Sequence, residues 1–559
     1  MPVEIERETV TNIAAYLPAM AEKQPESLAV ACPVRRGPGG KTEYAQYSFA
    51  ELNRESDILA CGLEKIGIGQ GVRTVLMVKP SLEFFALTFA IFKARAVPVL
   101  VDPGMGIHNL KQCLHEAEPV AFIGISKAHA ARVILRWASS TLKHLVTVGR
   151  RWFWGGHSLS DVRRRGDTND SFVMKDTNPD DIAAILFTSG STGVPKGAVY
   201  THSNFIAQVE ALRMLYDIQP GEIDLPTFPL FALFDPALGM SAIIPDMDAT
   251  RPGLVEPRNI LEPIERFSVT NMFGSPALIR RVAYSNEAEG NVLNSLKRVI
   301  SAGAPVPSEV IERFGALLPA DAQIHTPYGA TESLPVTSIG SEEILGETRY
   351  ATDAGKGVCV GRPVDEAEVS VIRITDEAIE EWSEDLRMPD GEIGEITVRG
   401  PMVTRQYFNR DESTRLAKIR DTDDSDGGVF HRMGDLGYFD EEGRLWFCGR
   451  KAHRVQTENE TLFTVPCESV FNVHEKVFRT ALVGVGKAGL QKPVLCVELL
   501  DGSTVWATVR DALQKLGEQH AHTGPIQTFL KHPSFPVDIR HNAKIFREKL
   551  AVWAEEQLR

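Results

Sequence analysis

The chain has no CxxC pair, no apolar run long enough to cross a bilayer, and no excess of positive charge. Each absence excludes something. Its seven cysteines are scattered from Cys32 to Cys496 without metal-ligand spacing, which excludes a zinc ribbon and points to buried thiols in a reducing compartment. The longest apolar run, FFALTFAIF (Phe84 to Phe92), is too short for a membrane span and is followed by Lys93 and Arg95, so a buried helix is expected. The opening MPVEIERETVTN is acidic and lacks a signal peptide's apolar centre. A formal net charge of −14 argues against nucleic-acid binding through a broad basic surface. Internal repeats and low-complexity tracts are also missing. A soluble cytoplasmic protein is expected.

With 559 residues, 43% of them hydrophobic, the chain is too long for one ordinary core, so at least two structural units are expected. Short apolar runs alternate with helical patterns, as in SLEFFALTFAIFKA, AVPVLVDPG, HNLKQCLHEA and PVAFIGIS. This rhythm predicts α/β layering with largely parallel strands. Runs such as IAAILFTSG, SVTNMFGSP and LKRVISAGAP end in glycine-containing turns, and ligands collect at such strand ends in open α/β sheets. After about Glu395 the texture shifts to short β-like pieces and then a smaller terminal unit. The boundary is placed at Gly449-Arg450, giving units 1–449 and 450–559.

One segment departs from the charge balance. From Lys127 to Arg165 there are nine Lys and Arg against a single acid, Asp161, with Trp137, Trp152 and Trp154 among them. A solvated helix face followed by an arginine-rich loop explains it, and a membrane-surface or acyl-donor docking patch is the alternative.

The densest chemical signal is AILFTSGSTGVPKGAVYTH (Ala184 to His202). A strand, a glycine-rich loop and a helix in that order bring backbone N–H groups onto phosphate oxygens. Gly190, Gly193 and Gly197 allow close approach, Ser189, Ser191 and Thr192 add hydroxyls, and Lys196 adds a charge. The spacing is not that of a Walker A loop.

TSGSTGVPKG resembles the phosphate-binding signature of the adenylate-forming superfamily: acyl-CoA synthetases, peptide-synthetase adenylation domains and luciferases. Further signatures follow in that superfamily's order: SAGAP (Ser301 to Pro305), YGATE (Tyr328 to Glu332), MGDLGYFDEEGRLWFCGR and HNAKIFREKL. The resemblance implies ATP and Mg²⁺ as cofactors, with Thr188 to Gly193 and Lys196 on phosphate. It puts Ser301, Gly303, Ala304, Pro305 and Tyr328 around adenine, Gly329 among the nucleotide-binding residues, and Thr331 on a phosphate. Glu332 falls on Mg²⁺, Asp435 on the ribose, and Arg450 at the domain junction. Lys544 is the expected mobile catalytic lysine. A large N-terminal domain of layered sheets and helices with a small β subdomain is implied, followed by a small mobile α+β C-terminal domain. The chemistry is coherent: Mg²⁺ and two lysines offset the charge that builds as a carboxylate attacks the α-phosphate.

Two stretches depart from the common pattern. GRKAHRVQTENETLFTVPCESV has no glycine after Gly449 and no Arg-Ile pair, and carries Ala452 where Asp or Lys is common. In LPTFPLFALFDPALG, Ala232 stands where many relatives have histidine. Phe228, Phe231 and Phe234, with Phe273 and Gly274 by resemblance, are candidates for a long apolar pocket; core packing is the alternative. Asp235 either faces that pocket or caps a helix at DPALG. Both departures resemble the OleC-type β-lactone synthetases of long-chain olefin biosynthesis, as do FKARAVPVLVDPG, LLPADAQIHTPYGATE and FPVDIRHNAKIFREKLA. That branch adenylates a 2-alkyl-3-hydroxy fatty acid and lets the 3-hydroxyl displace AMP. Asp235 and His325 are the candidate bases. Association with the pathway's reductase and α/β-hydrolase is implied. A long-chain acyl-CoA synthetase, or a module loading a carrier protein, are the alternatives.

Overall fold

The computed structural model describes residues 10–168, 172–187, 195–288, 290, 292–425, 427–537 and 544–559. The run FFALTFAIF lies in the helix Leu82–Lys93, which Ser81 caps by accepting from the Phe84 N–H. The helix is apolar on every face and buried nearly end to end, as expected of an element enclosed on all sides. Its final residue takes its charge inside: the Lys93 ammonium donates to Asn53 Oδ1 (2.7 Å), Ser56 Oγ (2.8 Å) and Asp57 Oδ1 (2.7 Å). No described helix is long and apolar enough to cross a membrane.

Among the described residues, two seven-stranded sheets share the core that surrounds this helix. One runs His157–Ser158, His144–Val148, Ala121–Ile125, Arg73–Met77, Val97–Leu100, Ile182–Phe187, Gly197–Thr201. The other runs Gln323–His325, Arg298–Ile300, Asn271–Phe273, Ile223–Pro226, Ser241–Ile243, Leu28–Arg36, Thr42–Ser48. In each, only the last pair is antiparallel, as the alternating β and α pattern predicts. A third, antiparallel sheet carries Tyr328–Ala330, Val429–Phe439 and Leu445–Arg450.

Beyond Arg450 the chain builds a smaller unit with its own apolar clusters. It holds the sheet Val477–Val485, Lys492–Leu499, Thr528–Lys531 and the helices Thr464–Asn472, Trp506–Gly517 and Arg547–Leu558. The Arg547 guanidinium reaches Glu468 at 2.8 Å, fastening the last helix to the first. The carboxyl ends of the parallel strands open onto a cavity of about 2620 Å³, whose wall includes Met77, Leu100, Ile125, Phe187, Phe273 and Ile300.

Candidate functional site

The strand Ile182–Phe187 feeds the glycine-rich loop, and Gly197–Thr201 returns antiparallel with Phe187 opposite Gly197. Both stems are therefore held in register. Thr188, Ser189, Gly190, Ser191, Thr192 and Gly193 lie outside the described residues. Lys196, just beyond them, lines the cavity with its ammonium 5.0 Å from the Tyr407 ring. Burial lowers its pKa from the ordinary ammonium value, and the charge of Glu332 opposes that.

Two other strand ends converge on the same wall. Arg298–Ile300 delivers Ser301, Gly303, Ala304 and Pro305. Gly303 has φ +96°, a conformation that suits glycine. The buried Ser301 hydroxyl finds no partner among the described residues. Tyr328–Ala330 brings Tyr328 and Gly329, followed by Thr331 and Glu332. A Cβ on Gly329 would lie 2.8 Å from the Ser333 carbonyl, so the turn admits no side chain there.

Asp435 and Arg450 face each other across the antiparallel pair Val429–Phe439 and Leu445–Arg450. Their side chains pair at 3.0 Å, and the Tyr328 hydroxyl donates to the other Asp435 oxygen at 2.8 Å. Burial raises the Asp435 pKa, while the charges of Arg450 and Lys544 hold it down. Lys544 lines the same cavity. Five motifs spread over more than three hundred residues thus face one space.

The cavity continues past Phe228, Phe231, Phe234 and Phe273. Phe231 packs on Phe273 with ring centroids 4.3 Å apart, and Phe228 on Phe231 at 5.5 Å. Asp235 does not cap its helix: it is the first residue of Asp235–Leu238, with no side-chain cap bond from the preceding Phe234. Its carboxyl instead meets that of Asp224, which also accepts from the Asn271 amide. Both acids are buried and line the cavity. Desolvation raises both, Asp235 further because Asp224 repels a second charge. Asp235 Oδ2 has no hydrogen-bond partner among the described residues. His325 packs on Tyr216 with ring centroids 5.2 Å apart, and burial lowers its pKa. Neither His325 nor Gly274 belongs to the described cavity wall.

Residues 17–408 match the family described as AMP-binding enzyme. The chain belongs to the AMP-binding enzyme family. Within it, the chain is 56% identical to the olefin beta-lactone synthetase of Xanthomonas campestris pv. campestris, the match covering 98% of each chain. It is 54% identical to that of Stenotrophomonas maltophilia, again over 98% of both. The fold is similar to that of the anthranilate CoA ligase AuaEII in complex with anthranoyl-AMP, with TM-score 0.78 and 19% identity over 99% of this chain and 100% of that one.

In this AMP-binding enzyme a second layer, with no motif to announce it, orients the cavity residues. Tyr407 donates its hydroxyl to Glu332 Oε1 at 2.7 Å. Thr404 donates its N–H to the Glu332 carbonyl at 2.9 Å, and the Tyr200 hydroxyl donates to the Thr331 carbonyl. Behind Tyr407 lies Lys418, fully buried, its ammonium 5.9 Å from the Tyr407 ring and donating to the Thr404 carbonyl. Burial pulls the Lys418 pKa down to about 7. At the junction, Lys451 pairs with Glu395 at 2.9 Å, and Glu395 with buried Arg432 at 2.6 Å. His453, lining the cavity nearby, is pushed down to about 4 by burial and by Arg547 and Arg450.

Proposed function

We propose that the protein adenylates a 2-alkyl-3-hydroxy fatty acid and then closes the substrate's 3-hydroxyl onto the activated carbonyl, giving a β-lactone, AMP and pyrophosphate. The observation that carries this reading is one continuous cavity: the nucleotide motifs stand at one part, a phenylalanine wall and a buried carboxyl pair at another. The two relatives above half identity, both named olefin beta-lactone synthetase, support it.

In the first half-reaction a carboxylate oxygen attacks the α-phosphorus of ATP and pyrophosphate leaves. Lys196 and Lys544 offset the charge growing on the phosphate oxygens. Asp435, held by Tyr328 and Arg450, receives the ribose hydroxyls, and Thr331 a phosphate. Glu332 is the Mg²⁺ ligand. Among the described residues no cluster of three or more His, Cys, Asp or Glu offers a closed metal cage. A single carboxylate suits Mg²⁺, which keeps waters and takes phosphate oxygens. Bound there, Mg²⁺ would neutralise phosphate charge. Residues 450–559 act as the mobile unit that brings Lys544 to the site and withdraws it.

In the second half-reaction the 3-hydroxyl oxygen bonds to the acyl carbon, and the bond from that carbon to the AMP oxygen breaks. The nucleophile is already tethered, so the step is unimolecular and needs no CoA. Asp235 Oδ2 accepts the hydroxyl proton while Asp235 passes its own to Asp224, so the pair ends neutral. Asp235→Asn tests this assignment. The variant should form adenylate from the hydroxy acid near the wild-type rate but close the ring ~10²–10⁴-fold more slowly. Equal loss of both steps would make Asp235 a packing residue.

A further inference from the structure

The basic, tryptophan-containing segment takes no part in the chemistry above, and its structure is unusual for a solvated loop. Between the strand His144–Val148 and the strand His157–Ser158, Trp154 is buried. Its indole N–H donates to Thr147 Oγ1 at 2.9 Å, and its ring stacks on His129 at 5.3 Å, only 7° from parallel. His129 is itself fixed, its Nε2 2.9 Å from the Val146 carbonyl. Ser126 Oγ donates to the Arg150 carbonyl at 2.5 Å, and the Arg151 guanidinium donates to the Gly156 carbonyl.

On this pinned loop Trp152 and Phe153 rest one side on Trp154, with ring centroids 5.3 Å and 5.5 Å away. Yet Trp152 is 52% exposed and Phe153 78%. Exposed Arg150 and Arg151 precede them directly. The chain as a whole is acidic, with a net charge of −14 that includes this basic segment, so an anionic surface is attracted here and repelled elsewhere.

We propose that the 149–156 loop docks the protein on an anionic phospholipid surface. Trp152 and Phe153 enter the interfacial layer, where amphipathic and aromatic rings are favoured. Arg150 and Arg151 meet the headgroup phosphates. The position makes chemical sense. Ser126, which holds the loop, directly precedes Lys127 and Ala128 in the cavity wall. If the substrate is the two-chain fatty acid proposed above, it resides in bilayers, and the loop sets the cavity rim against that source.

The test is co-sedimentation of the full chain with vesicles of phosphatidylcholine alone or mixed with phosphatidylglycerol. Wild type should pellet with the phosphatidylglycerol vesicles and be released by ~1 M salt, which screens surface charge. The double variant Trp152→Ser/Phe153→Ser should bind about tenfold or more weakly, and Arg150→Glu roughly tenfold more weakly. Arg150→Glu should keep the wild-type melting temperature, and both variants the wild-type turnover of detergent-solubilised substrate, since none of these side chains lines the cavity. Wild type that stays in the supernatant with both vesicles would overturn the proposal. So would variants that bind like wild type, or capture by an acidic protein surface without any vesicle binding. No substrate enters the binding assay, so its outcome is independent of the reaction assigned above.

Discussion

The Tyr328 hydroxyl donates to Asp435 at 2.8 Å, joining two motifs 107 residues apart in the chain. Arg450 holds the other Asp435 oxygen at 3.0 Å, so the carboxylate is oriented before any nucleotide arrives. If it binds the ribose, Asp435→Ala should raise the KM for ATP by ~10–100-fold, the cost of losing hydrogen bonds to a charged group. Tyr328→Phe keeps the carboxylate and should cost only about fivefold. Pyrophosphate release against ATP concentration reads both. Unchanged KM values would remove the nucleotide from this end of the cavity.

Lys544 stands closely enough to the same carboxylate for its charge to offset part of the rise that burial imposes on the Asp435 pKa. A group that meets charge developing in the transition state affects rate more than binding. Lys544→Ala should therefore slow adenylate formation by ~10²–10³-fold with little change in ATP or acid affinity. Single-turnover measurement of adenylate is the readout. Adenylation at the wild-type rate would mean that another residue does this work.

Lys418 sets a pH dependence on the metal. Its pKa of about 7 means that it gains charge as pH falls through neutrality. That charge lies behind Tyr407, whose hydroxyl holds Glu332, and a new cation there opposes divalent binding. The Mg²⁺ concentration for half-maximal rate should rise on the order of tenfold from about pH 8 to about pH 6. In Lys418→Met that rise should vanish. Glu332→Gln should need more Mg²⁺ at both pH values, because a neutral amide is a poorer ligand for a hard cation. A wild-type requirement that is flat across this range would separate Lys418 from the metal.

Some of the residues that meet the cavity were legible in the sequence because they sit in segments whose glycines and hydroxyls serve no core. SAGAP and YGATE are such segments, and the structure places both at strand ends on one wall. Tyr407, Lys418 and Thr404 were not legible. Tyr407 reaches the cavity wall while Thr404 and Lys418 lie behind it, and their importance lies in contacts with Glu332 and its neighbours that no local pattern encodes. At DPALG the sequence left two readings of Asp235 open, pocket or helix cap; its carboxyl lines the cavity beside the buried Asp224 of a neighbouring strand, a pairing no local pattern encodes. In the basic segment the charge run was plain. Which tryptophans face outward was not, because Trp137 and Trp154 are buried while Trp152 is exposed.

The central claim is that the activated acyl group is captured from within the substrate. The most direct measurement is product analysis after incubating the protein with ATP, Mg²⁺ and a 2-alkyl-3-hydroxy fatty acid, with and without CoA. The account predicts β-lactone, AMP and pyrophosphate at the same rate in both, and arrest at the adenylate when the acid lacks its 3-hydroxyl. Acyl-CoA from a plain fatty acid, with no lactone from the hydroxy acid, would contradict it.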